Sequence, residues 1–108
     1  MKETHVKIDR KDAVELHDKL MNATGADKNL DQHIARAFAL QSREFSASIE
    51  DAKSVVEYLF PKAHIHLGYG VTGVFPSATL SVAGRLYTSE APTVPIAILR
   101  SSFMALAD

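Results

Sequence analysis

The chain has 108 residues, a net charge of −1 at pH 7 and no cysteine. This length fits a single domain, residues 1–108, and an apolar fraction of 46% is ordinary for a globular protein. The near-zero charge gives no electrostatic reason to expect nucleic acid or anionic lipid as a partner, and the lack of cysteine excludes disulfides, thiolate metal sites and a cysteine nucleophile.

Targeting signals are not recognisable in the sequence. The first residues, MKETHVKIDRKD, lack the apolar segment of a signal peptide. No apolar run approaches the roughly 18 residues that a membrane span requires. We therefore predict a protein that stays away from membranes, with the cytoplasm as its compartment.

The first half of the chain has the periodicity of helices. Val6 and Ile8 alternate with polar neighbours, a short strand signal that leaves open whether residues 5–9 join a sheet. Apolar residues at helical spacing then predict amphipathic helices over about residues 10–23, 29–40 and 48–60. Ser48 and Asp51 have the spacing of a capping box, and Pro61 ends the third helix.

The second half changes period from about 3.6 to 2. Residues 63–69 and 78–86 alternate between apolar and polar side chains, which predicts a central antiparallel hairpin over about residues 63–86 with a glycine-rich connection. A last helix is predicted over about residues 93–107. The predicted fold class is α+β: a small antiparallel sheet of two or three strands packed with amphipathic helices.

The C-terminal helix is apolar around most of its circumference. A helix of this kind needs neighbours on more than one side. We therefore predict a homodimer that forms through this helix, with a plain core helix as the alternative.

Three segments carry a family resemblance: residues 30–35 (LDQHIA), 45–52 (FSASIEDA) and 93–99 (TVPIAIL). Their order resembles small phage and prophage proteins of bacteria of the phage ABA-sandwich type, which read roughly LDxxIA, YTxSLDAA and TPAxALxxAxL. Phe-Ser stands here where Tyr-Thr is usual, and Val94 interrupts the Thr-Pro pair. The resemblance implies an antiparallel sheet with helices against it, and it carries no enzymatic activity over to this chain.

Two histidines offer the clearest metal-ligand pattern. His64 and His66 lie on the same side of a predicted strand, with Cα atoms about 7 Å apart. This spacing can chelate Zn²⁺, Ni²⁺ or Cu²⁺ if other residues complete the site. His33, His5 or Asp31 are the candidates for the missing ligands. The alternative is that both histidines simply face solvent on the polar side of the sheet.

Two other motifs invite a functional interpretation. Residues 68–73 match G-x-G-x-x-G, but a dinucleotide site needs a helix to begin there, and Pro76 with the alternating residues after it favours a hairpin loop. Ser46 or Ser48 with His33 and Asp31 could form a catalytic set. No nucleophile elbow supports that set, and Ser48 is better explained as a helix cap.

The sequence therefore favours a non-catalytic phage-related accessory protein that acts by protein association. We predict no catalytic residue and no cofactor. Two alternatives stay open: a small metal-binding protein or metal-dependent enzyme that uses His64 and His66, and a small-ligand binding module with its pocket beside residues 68–75.

Overall fold

The computed structural model describes residues 8–108. The predicted strand over residues 5–9 falls mostly outside this range, and Ile8 and Asp9 lead into the first helix without strand structure. Helix α1 spans Arg10–Asn22, and the Asp9 carboxylate accepts a hydrogen bond from the Lys11 N–H at 3.4 Å. This cap satisfies one of the amide groups that a helix start leaves without a partner.

Helices α2 (Lys28–Phe38) and α3 (Ile49–Leu59) also begin at side-chain caps. Asp27 caps α2 by accepting from the N–H groups of the second and third helical residues. Ser48 caps α3, and its Oγ accepts from the Asp51 N–H at 3.2 Å. The Asp51 carboxylate accepts instead from the Glu44 N–H, so it braces the preceding loop and does not complete a reciprocal capping box.

The sheet is antiparallel, with strands β1 (His64–Tyr69), β2 (Pro76–Val82) and β3 (Arg85–Glu90) in the order β1-β2-β3. The predicted strand over residues 78–86 is wrong in its extent, because a tight turn at Ala83 and Gly84 divides it. Both residues have positive φ, 51° and 79°, as a two-residue hairpin turn requires. The third strand therefore follows this turn along the chain.

Helix α4 (Val94–Ala107) packs on β2 and β3 and also contacts α3 and α1. Ala97 and Ser101 are fully buried one turn apart, and the Ser101 hydroxyl donates to the Ala78 carbonyl of β2 at 2.7 Å. Small residues at this spacing let the helix lie close to the sheet. The predicted α+β class is confirmed, and the apolar circumference of α4 is accounted for by neighbours within the same chain.

Arg100 joins three elements at one end of the molecule. Its Nε donates to the Leu20 carbonyl at 2.8 Å and its Nη2 to the Met21 carbonyl at 3.1 Å, both in the last turn of α1. Its Nη1 donates to the Glu90 carbonyl at the end of β3 at 2.8 Å. The guanidinium thus supplies donors, and a positive charge, to the carbonyl end of a helix.

None of the helices in residues 8–108 combines the length and apolar character needed to cross a membrane.

Candidate association surface

The open edge of the sheet is β1. Among residues 8–108, β1 pairs only with β2, and α4 lies over the other two strands. At the hairpin the Gly70 N–H donates to the Phe75 carbonyl at 2.9 Å, in the same register as the strand pairs. Hydrogen-bonded pairs alternate in an antiparallel ladder, so His66 and Gly68 bond to β2. The main-chain N–H and C=O groups of the odd-numbered residues Ile65, Leu67 and Tyr69 face away from β2.

Those odd-numbered residues also carry the apolar side chains of β1. Ile65 contacts the core, whereas Leu67 is 45% exposed and Tyr69 is 73% exposed. Three further apolar side chains, those of Val71, Val74 and Phe75, are exposed in the hairpin connection. We call these residues, 65, 67, 69, 71, 74 and 75, the β1 patch. It joins an open strand edge to an uncovered apolar face.

The other edge of the sheet, β3, also pairs with β2 alone among residues 8–108, but it carries the charged residues Arg85 and Glu90 and contacts α4. On β3, the Arg85 guanidinium bonds to the Asp108 carboxylate at 2.8 Å, and the Tyr87 hydroxyl donates to the same carboxylate at 2.5 Å. These contacts fasten the end of α4 to β3. Charged side chains and a covering helix are the usual means by which proteins keep an edge strand from pairing with another chain. β1 contains no charged residue.

Titration of Tyr87 provides a test of this contact. The hydrogen bond to Asp108, then burial, raises the pKa of the Tyr87 phenol above its ordinary value. Because the folded-state pKa is raised, the contact stabilises the fold below the ordinary pKa and is lost as the pH rises through the raised one. We expect Asp108→Ala to shift tyrosinate formation at Tyr87 to lower pH, measured by ultraviolet absorbance. Because the chain has three tyrosines, the titration of Tyr87→Phe shows which part of the absorbance change comes from Tyr87. An unchanged titration in Asp108→Ala would contradict the assignment.

His64 and His66 lie on the opposite face of the sheet and are exposed. Their neighbours on β2 are Ser81 and Thr79, which are poor metal ligands compared with histidine or carboxylate. Within residues 8–108, no third histidine or acidic side chain joins them in a cluster of metal-ligand spacing. Of the predicted further ligands, His33 contacts Asp12 and Lys19, and Asp31 accepts a hydrogen bond from Ser46. His5 lies outside the described residues. The predicted metal site stays a prediction that would need ligands from elsewhere.

His33 forms a different cluster between α1 and α2. Its buried ring places Nε2 3.1 Å from Asp12 Oδ1 and 4.0 Å from Glu15 Oε2, and Nδ1 2.9 Å from Lys19 Nζ. The ligand atoms of His33 and the two carboxylates lie within 4.8 Å of one another, a spacing that could hold a metal ion. An ammonium can only donate, so Nδ1 accepts from Lys19 and Nε2 donates to Asp12. A metal on Nε2 would require a proton on Nδ1, directly against the Lys19 ammonium. The arrangement is therefore better suited to joining two helices than to binding a cation.

Asp31 and Ser46 meet, but they do not form a catalytic set. The buried Asp31 carboxylate accepts from the Ser46 main-chain N–H at 2.7 Å, and the Ser46 hydroxyl bonds to the main chain of Asp27. His33 points to α1 instead. The Ser46 hydroxyl and the Asp31 carboxylate therefore hold the loop before α3 against the start of α2. Ser48 caps α3, as predicted.

We expect Asp31→Ala to lower the free energy of unfolding by about 2 kcal/mol, because the buried Ser46 N–H loses its acceptor. Asp31→Asn keeps an acceptor oxygen in place and is expected to cost less than about 1 kcal/mol. Chemical denaturation of both variants measures the difference. Equal losses in the two variants would show that the carboxylate acts by its charge and not as an acceptor.

The G-x-G-x-x-G segment forms the β1–β2 turn, as the hairpin interpretation predicts, and Gly73 has a φ of 73°. Beside this turn, a groove of about 300 Å³ is lined by residues that include Phe75, Glu90 and Arg100. The three guanidinium nitrogens of Arg100 already donate to main-chain carbonyls. The Arg100 guanidinium is therefore engaged within the fold and is not free to orient a small ligand in this groove.

Comparison of the chain with protein-family models, with curated proteins and with solved structures yielded no match. The residues themselves therefore carry the functional argument.

Proposed function

We propose that this protein is a non-catalytic accessory protein that acts by self-association. The observation that carries the proposal is the β1 patch, in which an open strand edge and several exposed apolar side chains occur together. Contiguous apolar patches on soluble proteins commonly mark interaction sites. The polar clusters among the described residues support this choice, because those at His33 and Asp31 are occupied in joining helices and loops.

The surface that mediates association is proposed to be the sheet and not the C-terminal helix. The wide apolar circumference of α4 is the basis on which the sequence predicts a dimer through this helix. The sheet, α3 and α1 cover most of that circumference within one chain. Of the large apolar side chains on α4, Met104 is the one left exposed among the described residues. The homodimer remains our proposal, and its support now comes from β1.

The biological setting is proposed from the resemblance to phage and prophage proteins in residues 30–35, 45–52 and 93–99. We expect a bacterial, cytoplasmic protein with a role accessory to a phage. The genomic neighbourhood tests this setting. Adjacent phage structural or early genes would support it, and a metabolic operon would contradict it.

Sedimentation equilibrium tests the association itself. We expect a reversible monomer–dimer equilibrium with a dissociation constant in the micromolar range, because the patch is small compared with the interfaces of obligate dimers. A mass that stays monomeric up to several hundred micromolar chain would contradict the proposal.

A further inference from the structure

We infer that a second copy of this chain pairs antiparallel along the open edge of β1, about a two-fold axis through Leu67, and joins the two three-stranded sheets into one. This inference rests on the proposed self-association and names its surface and register. It follows from the direction of the main-chain groups of β1 and from the side chains of this strand. β1 has no charged residue, whereas β3 contains Arg85 and Glu90.

The main chain determines which registers are possible. The odd-numbered residues Ile65, Leu67 and Tyr69 direct their N–H and C=O groups away from β2. A two-fold axis at Leu67 pairs Leu67 with its own copy, and Ile65 with Tyr69 in both directions. This register matches each of the three outward residues with another of the three. Each such pair exchanges two hydrogen bonds in an antiparallel ladder, so the three pairs form about six between the copies.

The side chains fit the same register. On the apolar face, Leu67 meets Leu67, and Ile65 meets Tyr69, a combination of aromatic and β-branched residues that stabilises cross-strand pairs. On the polar face, His66 lies opposite Gly68, whose lack of a side chain leaves it room. Because β1 carries no charged residue, the two-fold axis brings no like charges together.

The size of the patch agrees with association that is specific and reversible. The exposed fractions of Leu67 and Tyr69, the two exposed apolar residues of β1 in this register, correspond to roughly 200 Å² of apolar surface per copy. Two copies together bring about 400 Å², to which the paired main chain adds polar area, so the contact belongs with the small interfaces of weak, transient complexes. A micromolar dissociation constant is the result expected for a contact of this size.

Leu67→Lys tests the inference, and Leu86→Lys is its matched control. Both leucines are exposed in the single chain, at 45% and 70%, but Leu86 lies on β3 and on the other face of the sheet. Leu67→Lys places two ammonium groups on the axis and is expected to raise the dissociation constant at least about 30-fold. Leu86→Lys is expected to leave it within about two-fold of the wild type. Sedimentation equilibrium measures both, and circular dichroism establishes that each variant folds.

Tyr69→Lys is a second variant of the same surface, and its greater exposure makes it the safer one for folding. We expect it to weaken the dimer as Leu67→Lys does. A wild-type dimer that both β1 variants leave intact, or that Leu86→Lys weakens equally, would overturn the inference while the proposed self-association stands. A wild-type chain that never dimerises would overturn both.

Discussion

Replacing Arg100 with alanine is expected to lower the free energy of unfolding by about 3 kcal/mol, because hydrogen bonds from a charged donor each contribute about 1.5–3 kcal/mol and are not additive here. The guanidinium holds the last turn of α1 and the end of β3 against α4. Its removal takes a charged donor from the Leu20 carbonyl, in a partly buried contact, and from the more exposed carbonyls of Met21 and Glu90. It also removes the positive charge at the carbonyl end of α1.

Arg100→Lys separates the charge of this side chain from its shape. Lysine keeps the charge but lacks the planar fork that reaches carbonyls on two elements at once. We expect it to recover less than half of the loss, measured by urea denaturation. Arg36→Ala, at an exposed position of α2, is the control and is expected to cost less than about 0.5 kcal/mol. If Arg100→Ala proved as mild as Arg36→Ala, the three-element contact would have no energetic importance.

Enlarging Ser101 is expected to have an effect of similar size. Ser101 lies between α4 and β2 with 1% of its surface exposed. Ser101→Leu forces extra volume into this close contact and removes the hydroxyl that bonds to Ala78. Overpacking and the lost hydrogen bond together predict a decrease of about 3 kcal/mol in the free energy of unfolding.

Two further variants of α4 isolate the cause. Ser101→Ala removes only the hydroxyl and is expected to cost about 1 kcal/mol. Ala107→Leu adds the larger side chain at the exposed end of the same helix and is expected to be nearly neutral. Thermal and urea denaturation measure all three. A neutral Ser101→Leu would mean that α4 does not lie as close to the sheet as the structure shows.

The helices and the α+β class were predictable because local patterns determine them. Periodic apolar residues and caps such as Ser48 act over a few residues, and the observed boundaries lie within about two residues of those predicted. The turn at Ala83 and Gly84 was missed because Ala-Gly is not a strong hairpin signal. The short run RLYTSE after Gly84, with the strand-favouring residues Tyr87 and Thr88, was the signal that could have revealed β3.

The candidate surface was less accessible to sequence reasoning. Whether Leu67 is buried depends on whether a helix covers β1, and α4 covers the neighbouring strands instead. The alternating pattern of β1 therefore predicted a buried face that the single chain leaves partly open. Arg100 gave no sign of its role for a similar reason, because two of its acceptors, the carbonyls of Leu20 and Met21, are about 80 residues earlier in the chain.

Amide hydrogen exchange followed as a function of protein concentration tests the central claim most directly. If β1 pairs with a second copy, the amides of a peptide covering residues 64–69 become more protected as concentration rises through the dissociation constant, whereas a peptide from β3 does not change. Protection that appears instead in the last turns of α4, or a β1 signal that is independent of concentration while a dimer forms, would contradict the account.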